Sequence, residues 1–327
     1  MGERGFLAQI LPRLNRLGRN RFLVPPGDDA AVMKRPARAV LSIDGLTEGT
    51  HFKLDWGALL KKKAGLSLGR ALGWKLMGSS LSDLAAMGRT EECWALVFLG
   101  GPKQLSSQFL MDFYKGVRDI TRRTRCVLAG GDTVRSSALT LVAAVGGVLK
   151  SRRPLTRNGC HVGDFLCVTG SVGDAERGLK ILLGHLKNLS SANEGYFIRR
   201  FFEVRPLFKE GAVLAEERDV TSLIDLSDSL QESVELLLAR RKFGYTVDLG
   251  GIPTSPPYQK CFGALPSLMS GGEDYALLFT VRGRALKRLQ KKLSFSVIGR
   301  VLKSSAGRHL LLNGRPMIPP RFFQHFN

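Results

Sequence analysis

Short apolar runs that stop at a cluster of Gly, Ser and Asp recur along the whole chain. "AVLSID" at residues 39–44 ends in a carboxylate, and "VLAGGDT" at residues 127–133 has the same form with a glycine turn. Both predict a strand followed by a loop. Between them, "LGRALGWKLMGSSLSDLAAMG" carries Leu72, Leu76, Leu81, Leu84 and Met87 close to helical spacing and closes at Gly88, so Asp83 is expected on a helix. "CWALVFLG" from Cys93 and "LTLVAAVGGVL" from Leu139 predict two more strands, with a helix over about residues 106–123 between them. The first half is therefore mixed α/β.

At Lys150 the pattern changes to the basic, turn-rich "KSRRPLTRNGCHVGD" before "FLCVTG" starts another strand. This predicts two domains, residues 1–150 and 151–327. The second half repeats the habit of the first: "FLCVTGSVGDAERGLKILL", "VTSLIDLSDSLQESVELLL" and "LMSGGEDYALLFTV" each join an apolar run to a Gly, Ser and Asp loop. In the middle one, Leu230, Val234, Leu237 and Leu238 form one helix face. Ser229 followed by Glu232 matches a capping box that would start this helix, which places Asp225 and Asp228 at a strand-to-helix junction. Ligands are commonly held at such junctions.

Composition narrows the class. With 327 residues, 44% of them hydrophobic, the chain can bury two ordinary cores. Five cysteines without a C-x-x-C pair suggest neither a disulfide framework nor a cysteine zinc site, and reduced cytoplasm is the expected location. No apolar run approaches the roughly 20 residues that span a bilayer, so no membrane association is expected. The balance of 49 Lys and Arg against 28 Asp and Glu, a formal net charge of +21, implies attraction to polyanions, either nucleic acid or small phosphorylated ligands.

The motifs favour the small ligands. A Walker A loop, a G-x-G-x-x-G turn and H-E-x-x-H are all absent. Instead, carboxylates recur in similar settings at Asp28, Asp29, Asp44, Asp83, Asp132, Asp225 and Asp228. Singly, each is an ordinary turn or cap residue. Converged on one site they would repel strongly unless cations occupied it, and Mg2+ suits such oxygen ligands and brings phosphates with it. Arg157 and His51 are candidate contacts to a phosphorylated ligand. Glu273 and Asp274, after Gly271 and Gly272, could equally be exposed acids of a hairpin turn before the strand "YALLF".

In order, "PPGDDAAV", "LSIDGLTEGTHF", "LSDLAAMG", "GGDTVR", "LTRNG", "IDLSDS" and "SGGEDYALLFTV", closing with "VIGRV" and "FFQHF", resemble the thiamine-monophosphate kinase family from end to end. The resemblance implies the aminoimidazole-ribonucleotide synthetase-like fold, of α/β (α+β) class. Its N-terminal domain binds ATP and Mg2+ and dimerises, and its C-terminal domain closes over the active site. It implies ATP-dependent phosphorylation of thiamine monophosphate to thiamine diphosphate by a homodimer. Metal ligands would be Asp29, Ser42, Asp44, Asp83, Asp132, Asp225 and Asp228, with Ile43 offering only its carbonyl. ATP contacts would be Gly131, Asp132, Arg157 and Ser227. His51, Glu273 and an aromatic residue near the C-terminus, Phe323, would hold the thiamine phosphate. No general base is assigned, because the attacking phosphate oxygen is already ionised.

The chain departs from the family pattern at Ile43 and Gly45, where Thr is usual, at Ser80 for Asn, and at Ser229 for the Gly of "SDG". Ser229 suits its position where φ is negative, as a cap demands. Two alternatives stay open: another ATP-using enzyme of the same superfamily, or a basic nucleic-acid-binding protein that has lost catalysis. No nucleic-acid recognition motif is present and nucleic acid is not an expected partner.

Overall fold

The apolar runs become the strands of two sheets. A computed structural model describes residues 22–24, 28, 30–33, 38–263, 266–312 and 314–317. In chain order the first half gives β1 (Phe22–Val24), β2 (Ala31–Met33), β3 (Ala39–Thr47), α1 (Trp56–Ala64), α2 (Leu68–Ala86), β4 (Thr90–Gly101), α3 (Ser107–Thr124), β5 (Val127–Arg135) and β6 (Thr140–Leu149). The second half gives β7 (Phe165–Val168), α4 (Asp174–Leu182), α5 (Ser191–Phe202), α6 (Phe208–Glu216), β8 (Val220–Asp225), α7 (Leu230–Ala239), β9 (Gly244–Asp248), α8 (Pro256–Phe262), β10 (Leu277–Val281), α9 (Leu286–Gln290), β11 (Ser296–Leu302), β12 (Arg308–Leu312) and β13 (Arg315–Met317). The first sheet runs β1-β2-β3-β6-β4-β5 and the second β13-β12-β9-β11-β7-β10-β8.

Two strands are longer than their sequences predict. β3 continues past Asp44 to Thr47, and β5 carries Gly130, Gly131, Asp132 and Thr133 inside the strand, not in a loop after it. Pairing overrides local turn preference in both: β3 is matched along its whole length by β6, and β5 runs parallel to β4 as far as Arg135.

Helix α3 is amphipathic, burying Phe113, Val117 and Ile120, and its cap Ser106 accepts from the Phe109 amide. Helix α2 is different, because it is buried on all sides, with 17 of its 19 residues inside. It lies on the inner face of the first sheet, touches α3 along one flank, and meets α5, α6 and β8 of the second half. Glycines allow the α2–α3 approach: a Cβ on Gly73 would stand 2.1 Å from the Phe113 carbonyl oxygen. The main apolar cluster consequently runs unbroken from Val40 and Leu76 in the first half to Ile224 and Tyr245 in the second.

Candidate active site

Along α2, Lys75, Ser79, Ser82 and Asp83 fall at helical steps of four, three and one, so a buried helix presents one polar stripe. Two strands meet that stripe. From β3, Ser42 Oγ donates to Asp83 Oδ2 at 2.5 Å, and Asp44, two residues on, shares its face. At the end of β8, Asp225 Oδ2 accepts from Ser82 Oγ at 2.7 Å. Ile43 points the other way and is 69% exposed, so only its backbone belongs to this side of the sheet.

The carboxylates feel one another. Burial pushes Asp225 up to about 6, Ser82 and Arg157 draw it down, and Asp44 and Asp228 push it further up. Burial also raises Asp44, against hydrogen bonds from Ser79 and the Gly45 amide. The buried Tyr275 hydroxyl is pushed well above its ordinary value, chiefly by burial and then by Glu273, Asp44, Asp225 and Asp83. Arg157 stands at their edge, its amide donating to Asp28 Oδ2 at 3.1 Å. Asp28 thereby fastens the segment between the two sheets.

The donor set fits hard cations. It consists of oxygen atoms, and Asp225 Oδ1 is buried without a hydrogen-bond partner among the described residues. Cations would relieve both the burial and the repulsion that raise these groups. Among the described residues no three His, Cys, Asp or Glu side chains close into a finished ligand group.

Beside the carboxylates lies a cavity of about 280 Å³ lined by residues that include His51, Phe201, Ser227, Asp228, Gly272 and Glu273. The Thr47 amide donates to His51 Nδ1 at 3.1 Å, so the neutral ring carries its proton on Nε2. Ser229 caps α7 with φ −63°, its Oγ accepting from the Glu232 amide at 3.2 Å, as the capping pattern predicts.

The loop from Ser270 to Tyr275 is not a hairpin turn with exposed acids, and β10 starts only at Leu277. Glu273 and Tyr275 both take left-handed backbone, φ 65° and 51°, at an expected cost of about 1–3 kcal/mol each. Three ties hold them there. The Glu273 amide donates to Ser227 O at 2.8 Å, and the Tyr275 amide to Leu226 O at 3.0 Å. The buried Asp274 accepts from the Gly173 and Ala175 amides at 2.6 and 3.1 Å, at the start of α4. Burial pushes Asp274 up to about 7 against those two bonds.

The structure thus brings Ser42, Asp44, Asp83, Asp225 and Asp228 together, with Arg157 at their edge and His51, Ser227 and Glu273 around the adjoining cavity. Gly131 and Asp132 are not brought in within one chain. They lie on edge strand β5: Gly131 ends the row Asp44, Ala143, Val97, Gly131, and Asp132 ends the next row, Gly45, Val142, Phe98, Asp132. Three strand spacings, roughly 14 Å, separate the ends of each row. Alternation also sets Asp132 on the opposite face from Asp44. Asp29 and Phe323 lie outside the described residues. One residue escaped sequence reasoning: Lys75, fully buried, with Nζ 2.5 Å from Glu273 Oε2.

Comparison with known proteins supplies the family. Residues 27–149 match the family described as AIR synthase related protein, N-terminal domain. The thiamine-monophosphate kinase of Buchnera aphidicola subsp. Acyrthosiphon pisum is 32% identical over 92% of this chain and 92% of its own length. The chain belongs to the thiamine-monophosphate kinase family. The Escherichia coli K12 kinase is 30% identical over 99% of this chain and 98% of its own. A solved structure described as AaThiL complexed with AMPPCP and TMP superposes with a TM-score of 0.80 at 26% identity, covering 99% of this chain and 97% of that one. The fold is accordingly the two-sheet α/β arrangement of this kinase family.

Proposed function

We propose that this chain transfers the γ-phosphoryl group of ATP to the phosphate of thiamine monophosphate, giving thiamine diphosphate and ADP. The single observation that carries this reading is the junction of α2, β3 and β8, where buried carboxylates meet beside a cavity, in a chain of this kinase family. An oxygen of the acceptor phosphate attacks the γ-phosphorus as the bond to the β,γ-bridging oxygen breaks. The acceptor oxygen is ionised at neutral pH, so the chain needs to position it and has no need to deprotonate it.

Asp44, Asp83, Asp225 and Asp228, with Ser42 and the Ile43 carbonyl, are the proposed holders of Mg2+, joined by Asp29. Bound Mg2+ would offset the negative charge of the two phosphate-bearing substrates. Arg157 and Ser227 are the proposed ATP contacts. His51 presents Nε2–H and Glu273 a carboxylate to the thiamine phosphate, and Phe323 is the proposed aromatic contact. The proposed division of labour is residues 1–150 for ATP, Mg2+ and dimerisation, and 151–327 for closing over the site. Five free thiols are compatible with the cytoplasm as the proposed location, and no described helix is long and apolar enough to cross a membrane.

The first sheet supports the proposed homodimer. Its outer face leaves Ile43, Trp94, Leu96 and Val127 at 69%, 36%, 44% and 63% exposure. This is a contiguous apolar surface of the kind that marks an interface. Asp132 lies on that same face, and we assign it and Gly131 to the ATP and Mg2+ site of the partner chain.

Incubation of purified protein with ATP, Mg2+ and thiamine monophosphate, with thiamine diphosphate quantified by chromatography, tests the reaction. Protein- and metal-dependent product is the expected result. No product from a folded, Mg2+-saturated sample would overturn it and favour the non-catalytic alternative.

A further inference from the structure

Lys75 is the lysine that the described chain buries completely, and every feature of its ammonium is satisfied by groups at the cavity. It donates to Phe201 O at 2.8 Å and to Glu273 Oε2 at 2.5 Å, and it stands 3.4 Å above the centre of the Phe201 ring. Phe201 and Glu273 both line the cavity, while Lys75 itself does not. A lysine taken wholly out of water persists as a cation only where such partners replace its hydration. Burial draws its pKa down, and Glu273 and Asp44 draw it back up.

We infer that Lys75 is a positioning residue for substrate recognition: it fixes the Glu273 carboxylate and the Phe201 ring in the orientation that receives the thiamine phosphate. Glu273 needs such an anchor, because its backbone is left-handed and its side chain is 27% exposed on the cavity side. With Oε2 held by Lys75, Oε1 has no donor among the described residues and remains for the ligand. Thiamine phosphate carries a permanently cationic thiazolium ring and an aminopyrimidine with N–H donors, and a fixed carboxylate beside an aromatic face complements both.

This inference rests on the proposed kinase reading, and a binding experiment separates the two. Calorimetric titration of the full-length protein with thiamine monophosphate and, separately, with Mg2+ and a non-hydrolysable ATP analogue is run on wild type, Lys75→Met, Glu273→Gln and the double variant. Steady-state KM and kcat are measured alongside. For Lys75→Met the expectation is a loss of roughly tenfold to a hundredfold in thiamine phosphate affinity, with ATP analogue affinity unchanged. The double variant should lose no more than the worse single variant, because both substitutions remove one interaction. Additive losses, or equal weakening of both ligands, would show a merely structural lysine and overturn the inference. If Lys75→Met does not fold, the double variant removes both charges together and is the decisive sample: affinity matching Glu273→Gln sustains the inference, and a clear further loss sinks it. Wild-type protein that binds thiamine phosphate while Lys75→Met binds it equally well rejects only the role of Lys75. Wild-type protein that binds no thiamine phosphate rejects the kinase reading and this inference with it.

Discussion

β10 is buried at all five of its positions, whereas β5 is exposed at all nine of its own. Both belong to sheets whose strands are apolar on both faces, which is the sequence signature of a strand covered on two sides. In the second sheet that cover exists. Cys167, Leu223 and Phe279 pack under α6 and α9 with Leu214 and Leu289, and Leu166, Ile224 and Leu278 turn to the main cluster on the other side. In the first sheet Ala95, Val97, Ala143 and Val145 face α2, but Trp94 and Leu96 on the other side stay 36% and 44% exposed. Among the described residues the second sheet is covered on both sides, whereas the first leaves Trp94 and Leu96 partly exposed; under the proposed homodimer a second copy supplies that cover.

The largest expected effect concerns one carboxylate from each sheet. Asp225→Asn and Asp132→Asn should each reduce kcat at least a hundredfold while leaving the folded circular dichroism spectrum intact, an order of magnitude in line with loss of a metal-holding group. Near-normal turnover of either folded variant would remove that residue from the site. Mixing the two inactive proteins, unfolded and refolded together, then tests the comparison itself. If Asp132 serves the partner's site, mixed dimers carry one intact site each and about a quarter of wild-type activity returns. No recovery would place Asp132 and Asp225 in the same chain's site or show that no dimer forms.

The same substitution should have opposite consequences in the two sheets. Leu278→Arg puts a charge in a covered face and is expected to cost more than about 4 kcal/mol, enough to prevent folding. Leu96→Arg should leave a folded protein that sediments as a monomer and has lost activity. A Leu96→Arg variant that remains a dimer would mean that another surface joins the copies.

Smaller effects come from the cavity and from pH. Glu273→Gln should raise the KM for thiamine monophosphate about tenfold with the KM for ATP unchanged, and equal shifts in both would reject its substrate role. Asp274 is raised to about 7 in the fold from 3.8. Between about pH 4 and pH 7 the folded protein retains a proton that the unfolded chain has released, so this residue makes stability fall as pH rises through that window. Asp274→Asn should flatten the decline of Tm with pH, and parallel profiles for variant and wild type would contradict the burial of a titrating carboxyl.

What the sequence reveals follows the range of the forces involved. Ser229 announces its cap because a capping bond spans three residues, and α3 is evident because one of its faces meets water. Helix α2 hides Lys75 because a helix buried on every side loses the contrast that marks inside from outside, and a lysine in it looks like any solvent-facing position. Gly130, Gly131, Asp132 and Thr133 suggest a loop by local preference, and only pairing with β4 makes them strand. The separation of Asp132 from Asp44 is a matter of register across three strands, which no local pattern records. The left-handed backbone at Glu273 and Tyr275 falls on residues that disfavour it, so the loop from Ser270 to Tyr275 looks like an exposed turn until Asp274 is seen capping α4.

The stripe on α2 also sets a timetable. Ser82 waits for a partner 143 residues further along the chain and Lys75 for one 198 residues further. At the usual pace of translation, the interval before Glu273 is even synthesised is about 10 to 40 s. For that time a nascent first half holds an apolar helix whose Lys75 lacks its carboxylate partner. Docking of the loop that carries Glu273 completes that ion pair.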